Sequence, residues 1–315
     1  MSDYSLEQLT PEHFDELAPL MLDAFGEKVG ATFFRWKYLE NPAGAAIGNI
    51  ARSNETGEIV AFYGMIPELY RWGDEVRTVY QSCDTMTHSR HRRRGLFQKL
   101  ALETYRQGRE KDSNFLAYGF GGPTSTPGFL KMGWSVAFEV RFRFRPFPLT
   151  LIPRWHRRPR PTASPIEQAL IDLICRASGE RPTSAVRTAE FVRWRLSNPL
   201  RHYLAIADGD RAYAIFHRAG GALFLFDFWE REPGLGRAVW NDVRAASAKP
   251  MSKGVLTFCQ PGIDFDRQMR TLWLLHNPFK SGPASLRTPF IVYGDKGDRD
   301  REDDWAITPF DHDSY

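Results

Sequence analysis

The sequence predicts an α/β (α+β) protein of two successive units, each a mixed, mostly antiparallel twisted sheet flanked by helices. Three observations carry this expectation. The first is a strand, a basic turn and a helix in immediate succession between Thr78 and Tyr105. The second is the run of short strands and hairpin turns that precedes them, and the third is a motif that occurs once in each half of the chain.

In order, a short polar strand begins near Tyr4. Thr10-Pro11-Glu12 then opens a helix, with Thr at the cap and Pro at the first helical position, where a missing N–H costs nothing. Phe14, Leu17, Met21 and Phe25 follow at helical spacing and form the expected core stripe. Asn54-Glu55-Thr56-Gly57 is a hairpin turn between segments around Ala51 and Ile59 to Met65. Gly73-Asp74 is a second, between Leu69 to Trp72 and Val76 to Thr87. The first half therefore reads strand, helix, three antiparallel strands, loop, helix, strand, short helix and a closing strand, Val136 to Phe144.

The segment Thr78 to Met86 is rich in Val, Thr, Tyr and Cys and reads as the central strand. Beyond it, Leu96, Leu100 and Thr104, with Phe97, Ala101 and Tyr105 beside them, recur at helical spacing. Between strand and helix lie His88, Arg90, His91, Arg92, Arg93, Arg94 and Gly95. The first N–H groups of a helix lack internal partners and sit at the positive end of its dipole. A glycine there lets an anion approach, and guanidinium groups add charge. Arg92 to Phe97 is thus a candidate cup for a diphosphate.

Arg92-x-x-Gly95, preceded by a strand and followed by Leu96-Phe97 and a helix, resembles the acetyl-CoA pyrophosphate loop of the GNAT superfamily of N-acetyltransferases. The usual family pattern is Gln/Arg-x-x-Gly-x-Gly/Ala, and Phe97 departs from its last position. Phe115 to Trp134 resembles the second family signature, a splayed strand and a short helix ending in Lys-x-Gly-aromatic, here Lys131-Met132-Gly133-Trp134. Gly122 stands where relatives commonly carry Asn, and Phe129 where many carry the Tyr that protonates the leaving thiolate.

The resemblance implies acetyl-CoA as co-substrate, with Arg92, Arg93, Arg94, Gly95, Leu96 and Phe97 cradling its pyrophosphate. Its pantetheine arm would lie along Thr85, Met86 and Thr87. The implied reaction is transfer of the acetyl group to the amine of a small molecule, an amino sugar being one candidate, by direct attack on the thioester. Asp84, near the cofactor end of the central strand, is the candidate base; the plain alternative is a strand-end carboxylate paired with a nearby arginine. Tyr118, on the splayed strand, is the candidate acid. Two other functions stay open: a non-catalytic acyl-CoA-binding module, and an aminoacyl-tRNA-dependent transferase, which would have a degraded loop and a broad basic face.

A chain of 315 residues suits two domains of roughly 150 residues each. The expected division is an acyl-CoA-binding domain over 1–148, a linker over 149–165 that contains RWHRRPRP, and a degenerate GNAT-like domain over 166–315 that shapes the acceptor cleft. The repeated motif supports the last of these: FFRWKYLENP (Phe33 to Pro42) returns as FVRWRLSNP (Phe191 to Pro199). In the second half the nearest equivalent of the cup, Pro233 to Arg237 after a strand Leu223 to Trp229, lacks the arginine cluster and has Glu232 beside it. One cofactor site is therefore expected, in the first half.

Hydrophobic content of 42% and charged content of 25% are ordinary for a soluble protein. No apolar run approaches the roughly 20 residues that span a bilayer, and the first residues lack a leader pattern. A cytoplasmic protein is expected. Cys83, Cys175 and Cys259 are too few and too far apart for a disulfide framework or a metal site. The net charge of +4 is concentrated in two short clusters, which argues against nucleic-acid or membrane partners. The terminal Asp311-His312-Asp313-Ser314-Tyr315 is expected to fray as an acidic tail.

Overall fold

The computed structural model describes residues 3–146, 162–163, 167–247, 253–277, 286–295, 297 and 299–313. Its first elements are β1 (Tyr4–Gln8), α1 (Phe14–Phe25), α2 (Ala31–Tyr38), β2 (Ile47–Ser53), β3 (Ile59–Trp72) and β4 (Glu75–Thr87). Next come α3 (Leu96–Lys111), β5 (Ala117–Phe120), α4 (Thr126–Lys131), β6 (Ser135–Pro146), β7 (Thr162–Ala163), α5 (Gln168–Gly179), β8 (Thr183–Ala185) and α6 (Ala189–Leu196). The chain continues with β9 (Leu204–Asp208), β10 (Ala212–Ala219), β11 (Ala222–Glu230), α7 (Arg237–Ser247), β12 (Gly254–Cys259), α8 (Asp264–Thr271), β13 (Leu275–His276) and β14 (Arg287–Tyr293). They form two compact units: Met1–Ala137 with Asn198–Leu200 and Pro289–Asp304, and Phe138–Ser197 with Arg201–Thr288 and Trp305–Tyr315. The fold is mixed α/β with mostly antiparallel sheet and flanking helices. The Pro/Arg-rich stretch 149–165 lies outside the described residues apart from Thr162–Ala163.

In the first unit the strands run β1-β2-β3-β4-β5-β14. All these pairs are antiparallel except β4 with β5. A parallel pair needs a crossover, and α3 supplies it. Leu96, Leu100, Ala101 and Tyr105 on its buried face join Tyr63, Met65, Phe129 and Trp134 in one apolar core. The expected α1 stripe is buried at Phe14, Leu17 and Met21, but Phe25 is exposed. It is the last residue of the helix, and Gly26 turns the chain away at φ 72°. The two strands expected on either side of Pro67 are one, because the β2 ladder ends at Met65 and Pro67 needs no N–H on that side.

Gly108 gives a test of this packing. A Cβ there would come within 2.3 Å of the Phe115 ring. Alanine improves helix propensity by about 1 kcal/mol, whereas overpacking a core costs about 1–3 kcal/mol. Gly108→Ala is expected to lower the thermal midpoint; a rise would show that Phe115 yields at no cost.

The second unit repeats the order, with strands β7-β9-β10-β11-β12-β6 and β11 parallel to β12. Val239, Trp240 and Val243 of α7 pack on Leu223, Leu225 and Phe228 of the sheet. Its closing strand is β6, the segment expected to complete the first half: Arg141 to Pro146 pair with Cys259 to Gly254. In the first unit β14 takes the place beside β5, from Phe290↔Phe120 to Tyr293↔Ala117. Alternating apolar residues identify a strand but not its partner, so this exchange is invisible to pattern reading. The expected frayed tail is also absent among the described residues. Asp311 and Asp313 are buried, Phe310 packs on Phe226 at 4.9 Å, and Arg195 donates to the carbonyls of Phe310 and His312.

His217 on β10 lies stacked on Phe224 and edge-on to Tyr203. Its Nε2 has no hydrogen-bond partner among the described residues. Burial, ahead of the charges on Arg201 and Arg195, pushes its pKa down to about 4. The unfolded chain, with a His near the ordinary value of about 6.5, then binds more protons than the folded one between these limits. Stability contributed by neutral His217 is full above about pH 6.5 and is lost as pH falls toward 4, by up to about 3 kcal/mol. His217→Phe is expected to flatten this part of the curve of urea midpoint against pH.

Candidate active site

The loop between β4 and α3 folds as a short turn, Ser89–His91, then an extended Arg92 and two left-handed residues, Arg93 at φ 64° and Gly95 at φ 74°. Asp23 of α1 anchors the turn by accepting the Ser89 N–H at 2.6 Å and its hydroxyl at 2.8 Å. Burial works to raise the Asp23 pKa, but these two bonds, with His88 and Arg92, hold it below its ordinary value. His88 Nδ1 accepts the Arg90 N–H at 3.2 Å. Lys99 N–H closes the first helical turn onto Gly95 O at 3.1 Å. The N–H groups of Leu96, Phe97 and Gln98 therefore lie outside the helical ladder and face the loop end. Arg92, Arg93, Arg94 and Gly95 are exposed. The segment read from the sequence as a candidate cup folds as a strand end, a turn and a helix start.

Phe97, at the position usually small in the family, turns its ring onto Phe129 at 5.0 Å. Gly128 makes the room: a Cβ there would meet the Phe97 ring at 2.6 Å. Phe129 is itself buried against Phe97, Tyr63 and Trp134. At Gly122 the backbone N–H donates to Ser125 Oγ at 3.1 Å.

The β4–β5 ladder runs only from Tyr80↔Ala117 to Ser82↔Gly119. Among the described residues the ladder does not extend beyond Ser82, so Asp84 to Thr87 have no pairing with β5 and can offer backbone donors and acceptors to an extended ligand. Thr85 and Thr87 are half-buried, and Met86 is buried, so Met86 offers the ligand its backbone. On the other side, the β3–β4 register shifts between Phe62 and Gly64, and Asp84 takes φ 47°, a conformation rare for a residue other than glycine. Strain of this kind persists only where the surroundings hold it.

Those surroundings are Lys37 and Tyr38. Asp84 Oδ2 accepts from Lys37 Nζ at 2.8 Å and from the Tyr38 hydroxyl at 2.7 Å. The Lys37 side chain is 1% exposed and that of Asp84 7%. Burial, then the Asp84 and Cys83 charges, holds the Tyr38 phenol well above its ordinary pKa, so it remains a donor. Asp84 Oδ1 makes no hydrogen bond among the described residues. The expected arginine partner is thus a lysine. Tyr118 belongs to a different network: it is buried, lies parallel to Phe290 at 5.3 Å, and donates its hydroxyl proton to Glu68.

Lys37, Tyr38 and Glu68 were not singled out as functional residues in the sequence. The first two lie in the repeated motif, which in the sequence reads only as a sign of duplication. Glu68 is an acid inside a buried apolar strand, which is a signal in itself. Among the described residues, no helix is long and apolar enough to cross a membrane. No group of three or more His, Cys, Asp or Glu among them could hold a metal ion.

Residues 5–137 match the family model of the acetyltransferase (GNAT) domain. No curated protein matches the chain. Among solved structures, a probable N-acyltransferase of unknown function from Enterococcus faecalis is similar over 92% of this chain and 72% of its own, at 13% identity and a TM-score of 0.66. A GCN5-related N-acetyltransferase from Kribbella flavida covers 92% of this chain and 70% of its own, at 14% identity and a TM-score of 0.64. Saccharomyces cerevisiae N-myristoyltransferase, solved with myristoyl-CoA bound, covers 93% and 79%, at 13% identity and a TM-score of 0.63. At such identities the likeness is one of fold.

Proposed function

Because residues 5–137 match the family model of the acetyltransferase (GNAT) domain, we propose that this chain is an acetyl-CoA-dependent N-acetyltransferase acting on the amine of a small molecule. The observation that carries the reading is the exposed turn Arg92 to Gly95 at the start of α3, set at the end of a strand whose pairing with β5 stops at Ser82. A diphosphate fits a cup of helix N–H groups and guanidinium donors. The part of β4 from Thr85 to Thr87, beyond its ladder with β5, suits a pantetheine arm laid down as an extra strand.

Acyl transfer to an amine has three needs. The amine must lose a proton, the thioester carbonyl must be polarised as it becomes tetrahedral, and the thiolate must be stabilised. Asp84 is proposed as the base through Oδ1, while Lys37 and Tyr38 fix Oδ2 and keep the carboxylate oriented. A backbone N–H of Thr85 to Thr87 would meet the carbonyl oxygen. Tyr118 is proposed as the proton source for the thiolate, its hydroxyl turning away from Glu68, which accepts that proton in this structure.

The second unit is proposed to be a degenerate copy of the first. It shares the strand order and the helix motif. It also has a buried carboxylate opposite a register shift: Asp227 accepts from Arg187 at 2.6 Å and Tyr213 at 2.8 Å.

The experiment is release of free thiol from acetyl-CoA across a panel of amino sugars, amino acids and polyamines. Amine-dependent release is expected, and Asp84→Asn should lower kcat by about 100-fold to 10,000-fold, the range of general-base catalysis. Binding of acetyl-CoA without turnover on any amine would instead favour a non-catalytic acyl-CoA module. Consumption of aminoacyl-tRNA without acetyl-CoA binding would favour the tRNA-dependent reading.

A further inference from the structure

A cleft of about 1040 Å³ lies within the second unit and takes no part in the site described above. Trp229 and Trp240 contribute to its lining and are largely buried. Trp273 also lines it but is 67% exposed, and it adopts φ 61°. A left-handed backbone costs a non-glycine residue roughly 1–2 kcal/mol. The turn is held all the same, by Trp273 N–H on Arg270 O at 3.0 Å and Leu274 N–H on Met269 O at 2.9 Å. These are the two bonds of a left-handed helix cap, so the φ of Trp273 belongs to the end of α8, and the result is an indole ring kept in solvent at the edge of a cavity, where its amphipathic face can meet a ligand.

The charge of the lining is unequal. Arg145, Arg181, Arg237, Arg244 and Arg267 face Glu180, Glu230 and Asp264. Asp264 is taken by Arg267. Arg145 donates to Leu272 O at 2.6 Å and lies 6.0 Å from the Trp240 ring. Arg181 and Arg237 make no ion pair among the described residues.

Glu230 is occupied as well. Its Oε2 accepts the N–H groups of Gly234 and Gly236 at 3.0 and 2.9 Å. From Arg231 to Gly236 this loop is Arg-x-x-Gly-x-Gly, closer to the Gln/Arg-x-x-Gly-x-Gly/Ala diphosphate pattern than Arg92 to Phe97. The chain's own carboxylate sits on the N–H groups such a loop would offer a phosphate. A diphosphate is therefore disfavoured at the loop by charge and by occupancy. A smaller anion can still be met by Arg181 and Arg237.

We propose that this cleft binds a planar aromatic ring carrying one compact anionic group, the ring against Trp273 and the anion at Arg181 and Arg237, with Glu230 excluding a diphosphate from the loop. A nucleoside monophosphate and an aromatic carboxylate share this chemistry. The test uses the full chain bearing Arg92→Ala and Arg94→Ala, so that the first-unit cup does not report. Calorimetric titrations with AMP, indole-3-carboxylate, adenosine and ADP follow.

Binding of AMP or of indole-3-carboxylate, with adenosine weaker, is expected. Arg237→Ala and Trp273→Ala should each weaken it roughly tenfold, the scale of one charge-assisted or ring interaction. Glu230→Ala should admit ADP, whereas Glu232→Ala, which removes the same charge beside the loop, should not. No binding of either anion at millimolar concentration overturns the proposal. So does binding indifferent to Arg237 and Trp273, or equal gains of ADP binding in the Glu230 and Glu232 variants. Far-ultraviolet circular dichroism of each variant separates a binding defect from a folding defect.

Discussion

Asp84→Leu is expected to destabilise the first unit by about 3–5 kcal/mol, the cost of removing one partner from a buried ion pair. The magnitude follows from location. Lys37 is almost wholly buried, and taking its carboxylate away leaves the ammonium in a medium where unbalanced charge is expensive. The Tyr38 hydroxyl loses its acceptor in the same step, and a branched leucine must hold φ 47°, which costs more. Lys37→Met combined with Asp84→Leu should recover much of the loss, because replacing a whole buried pair by apolar groups is often near neutral. Urea unfolding of the two single variants and the double variant closes the cycle. Additive losses would show that the two residues do not depend on each other. Asp84→Asn keeps the shape and one oxygen acceptor but leaves the Lys37 charge unbalanced, so its loss of activity is read beside its urea midpoint and far-ultraviolet spectrum.

The second large effect is expected at Gly95. Gly95→Val puts a β-branched residue at φ 74°, where valine has almost no allowed conformation. Nothing lies within 4 Å of a Cβ at that position, so the penalty is in the backbone and not in a clash. The loop is therefore expected to relax while the unit stays folded, and the cup to lose its aim. Acetyl-CoA affinity should fall by at least tenfold to a hundredfold, the scale of one or two charge-assisted hydrogen bonds. Arg92→Ala and Arg94→Ala should each weaken binding by about 1–3 kcal/mol for every phosphate hydrogen bond the guanidinium no longer donates. Arg94 lies 3.9 Å from the exposed Asp3, a pair worth too little in solvent to withhold it from a ligand.

The strand, turn and helix start that hold the candidate cup were legible in the sequence because they are local. A strand, a basic turn, a glycine and a helical stripe are contiguous between Thr78 and Tyr105, and each is read from its own spacing. The stripe of α3 and the hairpins at Gly57 and Gly73 were legible for the same reason. Long-range pairing was not. Nothing in Val136 to Phe144 says that its partner is Gly254 to Cys259, and nothing in Arg287 to Tyr293 says that it completes the sheet beside Phe120. The environment of Asp84 was hidden in a similar way: its cation is 47 residues upstream, in a motif that reads only as a repeat. At Glu230 the residue was in plain view, but only the fold shows its carboxylate resting on Gly234 and Gly236.

The most direct measurement is an isothermal titration of acetyl-CoA into the full chain, beside the Gly95→Val and Arg92→Ala variants. Saturable binding that weakens at least tenfold in both variants, with their far-ultraviolet spectra unchanged, is the predicted result. Absence of binding to the unaltered chain, or binding that neither substitution changes, would contradict a diphosphate cup at Arg92 to Phe97.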